Sequence, residues 1–357
     1  GAGTCGHWLF EPQSTNLITY SEDFSQWVSD TNASITSNSI ISPDGTLNAD
    51  KLIAGSSVAR QSIKFNLTAS GNISAYVFAK KGEYTVIQLT DAVLGAAFAN
   101  FDLESGLVGS TNTYAANIEN YGNGWYRCGI TYANNTSINS IRLSIAQNST
   151  SARLVNFAGN SSDGLYIYGA QLEQNSFSTS YIPTEGSIKT RLQEAAFGAG
   201  NSDLINSTEG VLYAEISGLV DGGDTRGISL FEASDNRITL TIHSTTNRVQ
   251  FFIAMNGYVN TVDLDATDII QTDMNKIACK FKANDYALWI NGVEKDTNTT
   301  QSNTVQSGTL NSLNFDINGS NNFYGKVKAL AVFKEALTDD ELECLTSDET
   351  SFSSFNA

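Results

Sequence analysis

Between Gly164 and Glu173 the chain alternates with a period of two, Leu165, Ile167 and Gly169 against Tyr166, Tyr168 and Ala170. That period puts successive side chains on opposite faces of an extended strand, which a helix cannot do. The pattern then stops. Pro183 cannot donate to a β ladder, and Glu185-Gly186-Ser187 carries turn chemistry. After Lys189-Thr190-Arg191 a second series of alternating segments begins, so the stretch reads as the last strand of one β module and the tether to another.

The same signal recurs on both sides of it. Ile73, Ala75, Val77 and Ala79 alternate with Ser74, Tyr76 and Phe78, and Tyr84–Leu89, Ala97–Leu103, Gly124–Thr131 and Ile141–Ile145 supply further short strands. Downstream, Gly210–Ile216, Ile228–Phe231, Arg237–Ile242, Val249–Ile253 and Lys276–Lys282 do likewise. Tyr286–Ile290 leads into Asn291-Gly292, a dipeptide suited to a two-residue hairpin turn. Thr338, with Glu341 three residues on, is the capping signature of a short helix. The expectation is an all-β chain of two tandem antiparallel β-sandwiches, the first a jelly roll, with a short C-terminal helix. Its divisions are an N-terminal arm (1–16), a first module (17–188), a linker (189–207), a second module (208–346) and a mobile tail (347–357).

Charge narrows the partners. The formal net charge is −17, of which residues 1–190 carry −5 and residues 191–357 carry −12. A chain this acidic, without a basic stripe, repels phosphate backbones, so no nucleic acid is expected as a partner. No run of 18 apolar residues exists, so no membrane insertion is expected. The four cysteines lack paired spacing and only two histidines are present, which leaves no standard zinc pattern. Cys128 and Cys279 sit among alternating apolar residues and read as small buried hydrophobes; a Cys5–Cys344 bridge stays open. The sequence starts without a methionine, which fits a piece of a longer product.

A series of motifs then becomes specific. Glu11-Pro12-Gln13, Thr15-Asn16-Leu17, Tyr20–Phe24 with Trp27, Phe101–Gly106, Gly122–Cys128, Gly169–Glu173, Ser180–Thr184 and Thr190-Arg191 follow one another in order. Together they resemble an N-terminal module recurrent in bacteriophage tail, fibre and other virion proteins, itself similar to carbohydrate-binding jelly rolls. Ser14 departs from that pattern, which has a basic residue there. The end of the chain, with its Asn-Gly hairpin, Tyr324-Gly325-Lys326-Val327 and Leu337–Leu342, is similar to the close of a laminin-G or concanavalin A-like lectin sandwich.

These resemblances imply a non-enzymatic virion surface protein, a fibre, tail or capsid decoration, located on the outside of the particle. It would meet host or environmental glycans and other virion proteins, as a homo-oligomer with a trimer the first expectation. A secreted bacterial carbohydrate-binding or adhesion protein, or the non-catalytic part of a polysaccharide-degrading enzyme, is the alternative. Catalysis is not expected, since no Glu-x-Asp-x-Glu string is present, Glu215 stands alone in its strand and His243 has no evident Ser or Cys partner.

The candidate ligand contacts are Trp125, Tyr126, Tyr166 and Tyr168, whose rings could stack on a sugar face. The competing reading packs Trp125 behind the Gly122–Gly124 turn and leaves the tyrosines as ordinary strand residues. No cofactor is implied beyond a candidate calcium ion, for which Asp221, Asp224, Asp235 and Asp316 offer turn carboxylates. Asx residues in turns equally serve backbone hydrogen bonding. Trp8 and Phe10, on a glycine-flanked arm, are candidates for assembly contacts.

Overall fold

In the computed structural model the described residues are 6–91, 97–113, 115–233 and 236–347. Cys5, Asp235 and all of the tail but Ser347 lie outside them. The chain divides into two compact units, Gln13–Leu192 and Gly1–Pro12 with Gln193–Ala357. Both are built from antiparallel strands, and one short α-helix, Asp339–Thr346, is present among the described residues. The all-β tandem sandwich expected from the alternation is what the chain forms.

In the unit of residues 13–192, two long strands, Ser62–Lys80 and Trp125–Ala146, pair with each other along most of their length. Their register breaks between Tyr132 and Thr136 and again between Ile138 and Ser140. Such bulges bend and twist a strand, so one pair can serve both layers around a core. Ala33–Ile41, Leu47–Ala54 and Gly164–Glu173 continue the sheet on one side, and Val86–Asp91, Phe98–Asp102 and Leu107–Asn112 continue it on the other. Alternation decides which side chains reach the core: Leu165 and Ile167 join it with Phe24, Trp27, Leu52 and Phe101. Tyr166 and Tyr168 therefore face the other way.

The other unit stacks a six-stranded sheet on a five-stranded one. Gly325–Phe333, Gly210–Ser217, Asn275–Phe281, Tyr286–Ile290 and Val293–Asn298 make most of the first, and Tyr258–Ala266, Val249–Met255, Asn236–Ile242, Arg226–Ala233 and Ser312–Asn314 make the second. Leu212, Leu230, Phe251, Phe281 and Leu288 fill the space between them. Asn291 and Gly292 have φ of 52° and 80°, the left-handed pair that a tight hairpin requires. Cys128 and Cys279 are each fully buried in their unit's core, and burial pushes both thiols up.

Two short segments of the stretch expected as an N-terminal arm are strands. Trp8–Phe10 pairs with Gly325–Val327 as the edge strand of the six-stranded sheet. Ser14–Asn16 pairs with Lys189–Arg191 in the other unit, so part of the expected linker is a strand too. Ser14 is buried against the Glu173 carboxylate, the position at which the resembling module would place a basic residue.

Candidate functional site

The strand-derived aromatic candidates do not form one surface. Trp125 is 2% exposed, its indole N–H donates to the Ile41 carbonyl at 3.3 Å, and it packs with Tyr76, Phe78 and Tyr168. Tyr126, one residue on, faces the opposite side and packs against the main core. Adjacent strand residues cannot share a platform, so the pair fails as a sugar-stacking site on geometry. Tyr168 is also buried, with its hydroxyl 2.9 Å from Asp44 and 3.1 Å from Glu22. Burial and these carboxylates push its phenol well above the ordinary tyrosine value. Tyr166, like Tyr126, stays partly exposed, with the Lys51 ammonium 5.8 Å from its ring centroid. Gly169, at φ 58°, follows these tyrosines at a break in register, and a Cβ there would meet the Phe78 ring at 2.9 Å.

The more complete constellation lies at one end of the other unit. A concavity of about 540 Å³ is lined by Glu11, Gln193, Glu194, Asp224, Ser244, Asn321, Asn322 and Tyr324, among others. Each wall is a turn with a local reason for its shape. In the turn after Gly210–Ser217, Gly222 and Gly223 have φ of 80° and 84°, a conformation that side chains resist. In the turn after Ser312–Asn314, the buried Asp316 carboxylate accepts the Gly319 amide at 3.1 Å, and Asn318 and Asn321 adopt φ of 58° and 52°. On the remaining side, Glu11 N–H donates to the Glu194 carboxylate at 2.6 Å and Glu194 N–H donates to Glu11 O at 3.0 Å.

Two buried polar side chains hold these turns. Gln271, 1% exposed, donates to the carbonyls of His243, Thr245 and Arg248 at 3.0, 3.0 and 2.6 Å and accepts the Gly222 amide at 2.7 Å. Arg226, fully buried, donates to the carbonyls of Val220, Gly222 and Asp224 at 2.7, 2.9 and 2.8 Å. Its guanidinium lies 4.6 Å from the Tyr324 ring centroid, and the Asp224 amide donates to the Tyr324 hydroxyl at 3.3 Å. The Asp224 carboxylate and the side-chain amides of Gln193, Asn321 and Asn322 make no side-chain hydrogen bond among the described residues. They line a concave surface beside a fixed aromatic ring, an arrangement able to bind the hydroxyls and the apolar face of a small polar molecule.

The calcium candidates separate. Asp224 lines the concavity, but Asp221 accepts the Asn247 amide at 2.8 Å and Asp316 caps its own turn. Among the described residues no group of three His, Cys, Asp or Glu side chains could hold a metal ion. Of the assembly candidates, Trp8 is 69% exposed, whereas Phe10 packs between Phe315 and Phe323. Sequence reasoning missed Tyr324, Asn321, Asn322, Glu11 and Glu194. The Asn318-Gly319 and Asn321-Asn322 turn chemistry was visible, but nothing local joined it to residues 11 and 194.

Residues 219–343 match the family model for the concanavalin A-like lectin/glucanases superfamily, a span that contains Asp224, Ser244 and the Asn321–Tyr324 turn but not Glu11, Gln193 or Glu194. No curated protein matches the chain. Among solved structures, the chain is similar to the CBM40 module of a Ruminococcus gnavus IT-sialidase, at 18% identity over 43% of this chain and 97% of that one, with a TM-score of 0.35. It is also similar to domain 4 of an extracellular GH43 arabinanase from Geobacillus stearothermophilus in complex with arabinotriose, at 16% identity over 45% and 73%, TM-score 0.34. The LG4-5 domains of the mouse laminin alpha1 chain show 11% identity over 94% and 96%, TM-score 0.26.

Proposed function

We propose that the chain is a non-enzymatic saccharide-binding protein whose contact surface is the concavity at the turn end of the unit that closes the chain. The observation that carries this reading is the convergence of hydrogen-bonding groups left free on Asp224, Asn321, Asn322 and Gln193 beside the Tyr324 ring. The lectin/glucanase family match over residues 219–343 supports the same ligand class. Hydroxyls paired to side-chain amides and a carboxylate, with one ring for the sugar's C–H face, give weak individual sites that gain strength by repetition. The non-enzymatic part of the reading rests on the sequence, which carries no Glu-x-Asp-x-Glu string.

The finer reading, adhesion to glycans from the outer surface of a bacteriophage particle as a homo-oligomer, rests on the motif series between Glu11 and Arg191. Capsid and tail genes found beside its own gene would support that setting; secretion and polysaccharide-degradation genes would favour a bacterial adhesion protein instead. The binding claim is tested by a glycan array followed by titration of the full chain. Tyr324→Ala and Asp224→Ala should each weaken binding at least about tenfold in a folded protein. Binding that survives both changes, or turnover of a polysaccharide, overturns it.

A further inference from the structure

The turn Gly218–Thr225 is built around a cation that the chain itself supplies. Arg226 is fully buried, and its guanidinium is ringed by the main-chain oxygens of Val220, Gly222 and Asp224 at 2.7, 2.9 and 2.8 Å. The fit is close: a Cβ added at Gly218 would stand 2.4 Å from Arg226 Nη2. Main-chain carbonyls flanked by the carboxylates of Asp221 and Asp224 are the oxygen set a hard divalent cation takes. A guanidinium and a divalent ion compete for the same lone pairs and repel each other, so one excludes the other. The same guanidinium lies against Tyr324, the ring that lines the concavity.

The charge of the concavity points the same way. Glu11, Glu194 and Asp224 line it, and among the described residues no lysine or arginine does. Arg226 stands behind the wall with its Nη protons directed at carbonyls, so a sulfate or carboxylate on a ligand would meet acidic groups without an exposed cation or a bridging metal to offset them.

We infer that this site takes an uncharged saccharide and holds it without a divalent cation, with Arg226 as the positioning residue that fixes the turn and the Tyr324 ring. The ligand class rests on the saccharide reading above; the role of Arg226 does not.

Two experiments on the full chain separate these. In the first, thermal unfolding is recorded with calcium and with a chelator, and terbium luminescence reports metal binding directly. The wild-type chain should show no calcium-dependent rise. Arg226→Ser frees three carbonyls beside two carboxylates and should gain one, including folding that depends on calcium. If Arg226→Ser cannot be purified in either condition, Arg226→Gln gives the same readout, since it leaves part of the ring open. A calcium-dependent rise in the wild type that Asp224→Asn removes, or a folded Arg226 variant that gains no metal binding, overturns the role of Arg226.

In the second experiment a panel of neutral, uronate and sulfated oligosaccharides is titrated. Binding should be confined to neutral members and unchanged within about twofold by a chelator. Preference for anionic members, or loss of binding in the chelator, overturns the inference. Silence across the panel sinks the saccharide reading, and the metal experiment still judges Arg226.

Discussion

Phe10 stacks on Phe315 with ring centroids 4.6 Å apart and planes 13° from parallel, and both meet the edge of Phe323 at about 6 Å. Residues separated by most of the chain's length thus share one aromatic trio, closing the core beside the turn that carries Asn321 and Tyr324. Phe10→Ala should cost about 2 kcal/mol, less than the about 3–5 kcal/mol of a fully buried large aromatic because the ring is only partly buried. Trp8→Ala, two residues away on an exposed side chain, should stay within about 0.5 kcal/mol. Equal shifts of the two variants in a denaturant titration would mean that the trio does not anchor the edge strand.

How much of this was legible in the sequence follows from where the information sits. Alternation sends Leu165 and Ile167 one way and Tyr166 and Tyr168 the other, because strand parity is local, but the register break at Gly169 returns Ala170 to the Leu165 side, against the period of two. What parity cannot say is whether the second face stays open. Tyr181 comes down beside Tyr168 at 5.7 Å and bonds the same Glu22, and that covering is tertiary. The Asn291-Gly292 turn and the Thr338–Glu341 cap were readable for the same local reason. Trp8–Phe10 was not: three residues hold no period, and their partners are Gly325–Val327. Arg226 looked like any strand residue after a polar turn; only three converging carbonyls give it a role.

His243 makes the site's neighbouring turn sensitive to acid. Its Nδ1 accepts the Thr245 amide at 3.0 Å, an interaction open only to the neutral ring, and Arg248 lies 3.3 Å from Nε2. Burial and the Arg248 charge hold its pKa below the usual histidine value, partly offset by Asp265 and Asp263. The native state therefore binds this proton less readily than the unfolded chain does. Stability from the neutral ring is complete above the unfolded value and is lost as pH falls through it toward the lower folded value. Unfolding midpoints between neutral and mildly acid pH should decline in wild type and flatten in His243→Gln. A histidine titration by NMR at or above the free-peptide value would contradict the sign.

Glu83 carries a second pH signature, in the unit of residues 13–192. Lys51 lies 2.8 Å from its carboxylate and the Gly164 amide donates to it at 2.9 Å. The Lys51 bond, then the Gly164 bond, draw its pKa down to about 2. The folded state holds the charged form more tightly than the unfolded chain, so this contribution is present above the ordinary glutamate range and is lost as pH falls toward about 2. Lys51→Met should return the carboxyl most of the way to its ordinary range in a carbon-detected NMR titration. Glu83 is half open to water, so the accompanying change in stability should be small. An unchanged midpoint in the variant would assign the depression to the Gly164 amide alone.

The C-terminal helix offers a test of packing on the outer face of the six-stranded sheet. Thr338 and Glu341 form a reciprocal cap, with the Glu341 carboxylate accepting the Thr338 amide at 2.8 Å and the Thr338 hydroxyl accepting the Glu341 amide at 3.4 Å. The acidic first turn, Asp339–Glu341, suits the positive end of the helix, and Lys280 reaches Asp339 at 3.1 Å. From this start the helix lays the fully buried Leu342 among Val211, Tyr213 and Trp289. Thr338→Ala should cost about 1 kcal/mol, the usual loss of a side-chain cap. Leu342→Ala should cost about 3 kcal/mol, because it opens a cavity against the sheet. Because Trp289 lies under the helix rather than between the sheets, its fluorescence should shift red in Leu342→Ala while far-ultraviolet circular dichroism still reports folded strands. A red shift that arrives only with loss of the β signal would mean the helix and the sandwich unfold as one cooperative body.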